Sequence, residues 1–216
     1  MLKIILLGSP GAGKGTQAKK IKDKFRLTHI ATGDLLREAV RRRTSLAQQT
    51  QHFMQLGRLV PDRIILSLIR DKIKEGASGF ILDGFPRNVI QAEKLDKLLE
   101  AENKKLDLVI NLEVNHTEVI SRLNGRVICP KCGRTYSRDE LVDQPLICKD
   151  CGTHLSQRSD DNPDAIEERL KVYLKHTLPL IDYYKGEGIL RSISGKGTPQ
   201  EVFQHIVDLL DSLGKC

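Results

Sequence analysis

Tryptophan is absent from the sequence, and phenylalanine and tyrosine together make up 4% of its 216 residues. So few rings argue against the stacking platforms on which proteins lay single-stranded nucleic acid. No apolar run is long enough to cross a bilayer. The first residues lead straight into "KIILLGSP", without the basic segment, apolar stretch and small-residue cleavage site of a secretory leader. The expectation is a cytoplasmic protein with no membrane partner. Internal repeats and low-complexity segments are also missing.

What is present is positive charge. Lysine and arginine number 35 against 28 acids, a net charge of +7. That favours an anionic partner, and nucleotide, nucleic acid or an acidic surface would each satisfy it. Many arginines stand singly beside turn residues (Arg37, Arg58, Arg87, Arg122, Arg126, Arg158, Arg169), which suits small anions better than a polymer. The one basic run, Arg41–Arg43, reads most simply as a solvated helix face.

The composition, 39% hydrophobic and 29% charged, is that of a globular chain. "KIILLG" from Lys3 is a short continuous apolar run, as expected of a strand buried on both faces. "GFILDGF" from Gly79, "LDLVINLEV" from Leu106 and "GILRSIS" from Gly188 look alike, and a weaker strand candidate lies near Leu27–Ile30. Helical patterns fall between them: Pro61–Lys74, Asn88–Ala101, Asp164–Tyr184 and Pro199–Leu213, the last stopping at Gly214. Alternation of this kind predicts an α/β fold with a parallel five-stranded sheet and helices on both faces. Two stretches break the rhythm. Thr32–Val60 is helical and polar with no strand, and Arg126–Asp161 holds four cysteines among turns and short β-like pieces. Both are candidate insertions.

"GSPGAGKGT" satisfies G-x-x-x-x-G-K through Gly8, Gly13 and Lys14, with a strand before it and a helical pattern after it. An ordinary tight βα turn is the plain alternative. Strand, glycines, lysine and helix together favour a phosphate loop, in which backbone N–H groups and the lysine hold a nucleoside triphosphate. Gly15 stands where such loops usually place Ser or Thr, and the hydroxyl comes one residue later, at Thr16.

Of five cysteines, four form "CPKC" (Cys129, Cys132) and "CKDC" (Cys148, Cys151), in the pattern C-x2-C-x15-C-x2-C. Four thiolates so spaced make a closed tetrahedral structural Zn²⁺ site. A redox dithiol and plain buried thiols remain the alternatives. A zinc ribbon would also serve a nucleic-acid binder, although the acids of "SRDELVDQ" and "SDDNPD" nearly balance the insert's charge. Cys216 reads as a bystander.

These motifs resemble the adenylate kinase family, in its long bacterial form with a zinc-containing lid, along nearly the whole chain. G-x-P-G-x-G-K-G-T with Gly-Thr at its end is that family's loop, which implies ATP on Gly11, Ala12, Gly13, Lys14, Gly15 and Thr16. "HIATGDLLR" is similar to the family's "STGDLLR" segment and implies AMP contacts at Thr32 and Arg37. Related UMP/CMP kinases carry Ala at the first position, so Thr32 points to AMP. "GRLVPD" resembles "GKLVPD" and implies Arg58, Leu59 and Val60 along the adenine pocket, with Arg in place of the usual Lys. "LDGFPRNVIQA" implies Gly84, Phe85, Pro86, Arg87 and Gln91 on the AMP side, and Asp83 as the carboxylate holding Mg²⁺ through water. "RLNGR" implies Arg122 over the ATP side and Arg126 on the phosphates. "RSDDNPDAIEERL" implies Arg158 and Arg169 on the transferred group and AMP phosphate, with Asp160 and Asp161 as partner acids. Thr135 and Tyr136 match a lid dipeptide that touches ATP, and Gly197 the backbone that meets adenine. The family often has Asp as fourth metal ligand; here it is Cys151.

The resemblance thus implies phosphoryl transfer between ATP, AMP and ADP by a monomer. Its core would be 1–30, 61–125 and 162–216, with an AMP-covering insert at 31–60 and a zinc lid at 126–161. Lys14, Arg87, Arg122, Arg126, Arg158 and Arg169 would do the chemistry without a general base.

Overall fold

The computed structural model describes residues 2–41, 47–75, 79–142, 144–158 and 161–214. Arg42 and Arg43 of the basic run, Asp160 and Cys216 lie outside these residues. The chain runs β1 (Lys3–Gly8), α1 (Lys14–Phe25), β2 (Thr28–Ala31), α2 (Thr32–Arg41), α3 (Ala47–Gln55), α4 (Asp62–Glu75) and β3 (Phe80–Asp83). It continues through α5 (Val89–Ala101), β4 (Leu108–Glu113), α6 (His116–Asn124), β5 (Arg126–Ile128) and β6 (Thr135–Ser137). Then come α7 (Pro163–Val172), α8 (Pro179–Gly186), β7 (Leu190–Ser194) and α9 (Pro199–Ser212).

A parallel five-stranded sheet has the order β2-β3-β1-β4-β7. The two-residue period of β1 divides the core. Ile5 and Leu7 point to a cluster with Ile65, Ile69 and Ile73 of α4, Leu95 and Leu99 of α5, and Tyr184 of α8. Ile4 and Leu6 point to the opposite cluster, with Ala18 and Ile21 of α1 and Ile206 and Leu210 of α9. Each fully buried aliphatic side chain contributes roughly 1.5–3 kcal/mol relative to exposure. After β1 the chain turns to one edge of the sheet and after β4 to the other. The carboxyl ends of β1 and β4 therefore flank the crevice where such sheets bind ligands.

Two expectations need correction. "GILRSIS" does form β7, but at the sheet edge, with Arg191, Ser192 and Ser194 exposed, because β7 pairs with β4 alone. The helix expected over Asp164–Tyr184 is interrupted: Tyr173–Thr177 opens into a π-helical turn in which Leu178 N donates to Tyr173 O at 2.8 Å. Pro179 explains the break. It lacks an N–H, and its ring would strike the carbonyl four residues back in a regular helix.

The cysteine segment folds as a small module. Antiparallel β5 and β6 pair Val127 with Tyr136. Val127, Tyr136, Leu141 and Leu155 pack around Cys129 and Cys148.

Candidate active site and metal centre

The loop between β1 and α1 curls around its own lysine. Lys14 Nζ donates to Gly8 O and Ser9 O, both at 2.8 Å. Burial of the ammonium pulls its pKa down from 10.5 to about 8; the Asp83 carboxylate opposes this, and Arg87, Arg169 and Arg126 add to it. Three of the predicted guanidiniums therefore lie close enough to Lys14 to act on its charge. A cluster this positive is held ready for several phosphates.

Gly15 has a physical reason to be glycine. A Cβ there would lie 3.3 Å from Asp83 Oδ2, so the carboxylate at the end of β3 takes the space a Ser or Thr side chain would need. Thr16, which carries the displaced hydroxyl, is exposed. Burial alone would raise the Asp83 pKa. His29, whose Nε2 lies 3.5 Å from Asp83 Oδ2, together with Lys14 and Arg87 reverses that and holds it below the usual carboxylate range. Asp83 thus faces the loop as an anion, with the chemistry a hydrated Mg²⁺ requires.

Thr32, buried at the start of α2, donates to Gly84 O at 3.0 Å. Arg87 Nε donates to the same carbonyl at 2.9 Å. Phe85 and Val60 sit inside the core cluster, and Leu59 is half-buried. Arg37 pairs with Asp34 at 2.5 Å, and the Arg58 side chain is exposed. Gln91 is fully buried: its Oε1 accepts from Arg87 N at 2.7 Å, and its Nε2 donates to Asp62 Oδ1 at 2.8 Å. Lys94 holds the other oxygen of Asp62 at 2.6 Å.

On the donor side, Arg122 Nη2 donates to Gly195 O at 3.0 Å and pairs with Glu118, which sets the guanidinium above Gly13. Asp161, 1% exposed, ties two arginines together. Its carboxylate accepts from Arg126 Nε at 2.7 Å and from Arg169 Nη1 at 2.8 Å. Asp161 N donates to Arg158 O at 3.1 Å, which brings Arg158 to the same corner. Gly57, with φ of +68°, lets the segment before α4 pack on α7: a Cβ would come within 2.8 Å of Ala165 O and 3.1 Å of Arg169 Cγ. Gly197, with φ of +96°, lies in the exposed turn before α9, a helix started by a Thr198–Glu201 capping box.

The four cysteine Sγ atoms lie within 4.8 Å of one another. Metal–sulfur bonds of about 2.3 Å around a tetrahedron put sulfurs about 3.8 Å apart, so the set fits one ion. The two knuckles repeat one another: Gly133 N donates to Cys129 O and Gly152 N to Cys148 O, both at 2.9 Å. Tyr136 turns inward, its hydroxyl 3.3 Å from Cys148 Sγ and accepting from Lys149 N at 2.9 Å. Thr135 is the exposed member of the dipeptide.

Sequence reasoning did not single out His29, Asp62 or Glu118. His29 and Asp62 stand at the ends of the quoted "HIATGDLLR" and "GRLVPD" segments, but each of the three acts through a partner distant in the chain or one turn away on a helix, which the segment alone does not reveal.

A family model described as "Adenylate kinase" matches residues 6–189. An adenylate kinase of Lachnospira eligens is 45% identical over 215 residues, spanning 97% of this chain and 100% of that protein. One from Thermodesulfovibrio yellowstonii is 45% identical across 97% of this chain and 99% of its own length, and one from Staphylococcus epidermidis is 43% identical across 98% and 100%. The near full-length match, together with the phosphate loop and the cluster of guanidiniums, shows that the chain belongs to the adenylate kinase family and catalyses ATP + AMP ⇌ 2 ADP.

Proposed function

We propose that ATP lies along Gly11–Thr16 with its phosphates under Arg122 and Arg126, and that AMP is held by Thr32, Arg37, Arg58, Leu59, Val60, Gly84–Arg87 and Gln91. Residues 31–60 cover AMP, and residues 126–161 form a lid over ATP, where Thr135 and the backbone of Tyr136, whose side chain faces Cys148, meet it and Gly197 offers backbone to adenine. The observation that carries this reading is the convergence on Lys14 of charges from β3, the loop before α5, the start of the lid and α7.

The chemistry follows from that convergence. An oxygen of the AMP phosphate attacks the terminal phosphorus of ATP in line, the bond to the bridging oxygen breaks, and two ADP result. Lys14 and Arg87 hold the reacting phosphates in register, while Arg126, Arg158 and Arg169 neutralise charge on the group in transit. Asp161 fixes the angle of the two guanidiniums it bridges. Asp83 would hold Mg²⁺ through water, and the ion would supply further positive charge to the ATP phosphates. No residue is needed as a general base. Gln91 acts on adenine after exchanging one of its present partners, or through the Arg87 backbone it now braces.

The cysteine site holds Zn²⁺ as a structural staple, remote from the chemistry. The protein works as a cytoplasmic monomer. A coupled assay of ADP formation across AMP, CMP, UMP and GMP tests the acceptor assignment. AMP should be preferred, and Thr32→Ala should narrow that preference. Faster turnover of UMP or CMP by the unaltered protein would overturn it.

A further inference from the structure

The apolar run of β4 contains one misfit, Asn111. It is 2% exposed in the middle of the sheet, yet its side-chain Oδ1 has no hydrogen-bond partner among the described residues. Its Nδ2 donates only at long range, to Ser192 Oγ at 3.3 Å and Glu113 Oε1 at 3.4 Å. Ser9 Oγ, at the start of the phosphate loop, is buried and also without a partner among the described residues. A buried polar atom left unmatched costs about 1–3 kcal/mol, so such atoms normally face water or a ligand.

Both residues line one cavity of about 440 Å³, which also takes in Glu113, Tyr173, Ile181 and Lys196. None of the residues assigned to ATP or AMP lines it. The space lies where the π-helical turn carries Tyr173 over the carboxyl end of β4. It exceeds what one or two waters need and falls in the range of small-molecule sites.

We propose that this cavity is a second ligand site, for a flat amino-substituted heteroaromatic molecule. The walls are Tyr173 and Ile181, which suit a ring. Glu113 and the Asn111 Oδ1 accept hydrogen bonds and therefore ask for an amino group. Lys196 donates and asks for a ring nitrogen. Burial, and then the Glu113 carboxylate, hold the Tyr173 phenol above its usual pKa, so its hydroxyl remains a donor. The opposite charges of Glu113 and Lys196 favour a neutral molecule over an ion.

The test uses the full chain with both substrate sites filled by two adenosines joined through five phosphates, a saturation verified first by calorimetry. Failure of that step would count against the nucleotide assignment and not against the cavity. Adenine and unsubstituted purine are then titrated while the amide resonances of Asn111 and Tyr173 are followed. Adenine should bind saturably at millimolar concentration, about tenfold more tightly than purine, which lacks the amino group. Asn111→Leu should remove that advantage. Ile181→Phe should abolish binding by filling the space while turnover is unchanged, and it carries the test if Asn111→Leu does not fold. No saturable shift, equal binding of the two bases, or binding that survives Ile181→Phe would each overturn the proposal.

Discussion

The core and the cysteine module are held together by different means. Around β1 two broad apolar clusters press on both faces of the sheet, and their residues come from helices distant in sequence. The module's cluster among the described residues is Val127, Cys129, Tyr136, Leu141, Cys148 and Leu155, and two of these are cysteines of the metal site. So small a segment cannot bury enough apolar surface to order its backbone, and a metal bound to the four thiolates would make up the deficit. In the core, stability is spread over many side chains. In the module it would be concentrated in four sulfurs.

The largest expected effect lies on the core side. Lys14→Ala should lower kcat/KM for ADP formation about a thousandfold, on the order of 4 kcal/mol of transition-state stabilisation. Its thermal midpoint should change little, because the hydrogen bonds of the lysine go to its own loop and its burial already opposes its charge. A variant that keeps a tenth of the activity would show that the loop is not where the charge is managed.

Asp161→Asn strikes the join between the two regions, since this buried carboxylate holds both Arg126 and Arg169. Losing one partner of a buried charge cluster costs about 3 kcal/mol or more. Both the denaturation midpoint and kcat should fall. A drop in stability with kcat intact would mean that the acid only glues the corner and does not aim the guanidiniums.

Cys129→Ser sharpens the contrast itself. The thermal midpoint should drop by about 5–10 °C on loss of the metal's few kcal/mol. Turnover at moderate temperature should stay within about threefold. Equal midpoints for variant and parent would remove the metal from the stability argument.

The smallest effect concerns pH. With the Lys14 pKa at about 8 in the free protein, phosphates that need the ammonium must restore its proton above that pH. Nucleotide binding at pH 8–9 should therefore take up a proton, with affinity about fivefold weaker at pH 9 than at pH 8. Without nucleotide the sign for folding is opposite. The unfolded chain keeps the proton up to 10.5, so this group's penalty on stability fades as pH rises from 8 towards 10.5. Calorimetry in buffers of different ionisation enthalpy reads the proton directly, and no dependence on buffer would refute the shift.

Legibility in the sequence followed the distance over which each interaction acts. The phosphate loop and the cysteine pairs could be read because their chemistry is complete within a few neighbouring residues. The sheet could be read because buried parallel strands need unbroken apolar runs. The roles of Arg122, Arg158 and Arg169 came only through likeness to a family, since an isolated arginine carries no mark of its partner. The edge position of β7 was missed because an edge strand and a central one can share the same short apolar run. The π-helical turn was missed although Pro179 was in plain view, because the pattern on either side continues as a helix.

The sequence by itself determined the parallel α/β core, a loop able to grip phosphates and a four-thiolate knuckle, since backbone sterics, side-chain period and ligand spacing act locally. The tertiary structure decided that Asp83 would occupy the space left by Gly15, that Asp161 would bind two arginines at once, that Tyr136 would turn towards Cys148, and that Asn111 would face a cavity beside Ser9. Each of these depends on where distant segments come to rest when the apolar faces of the sheet are covered.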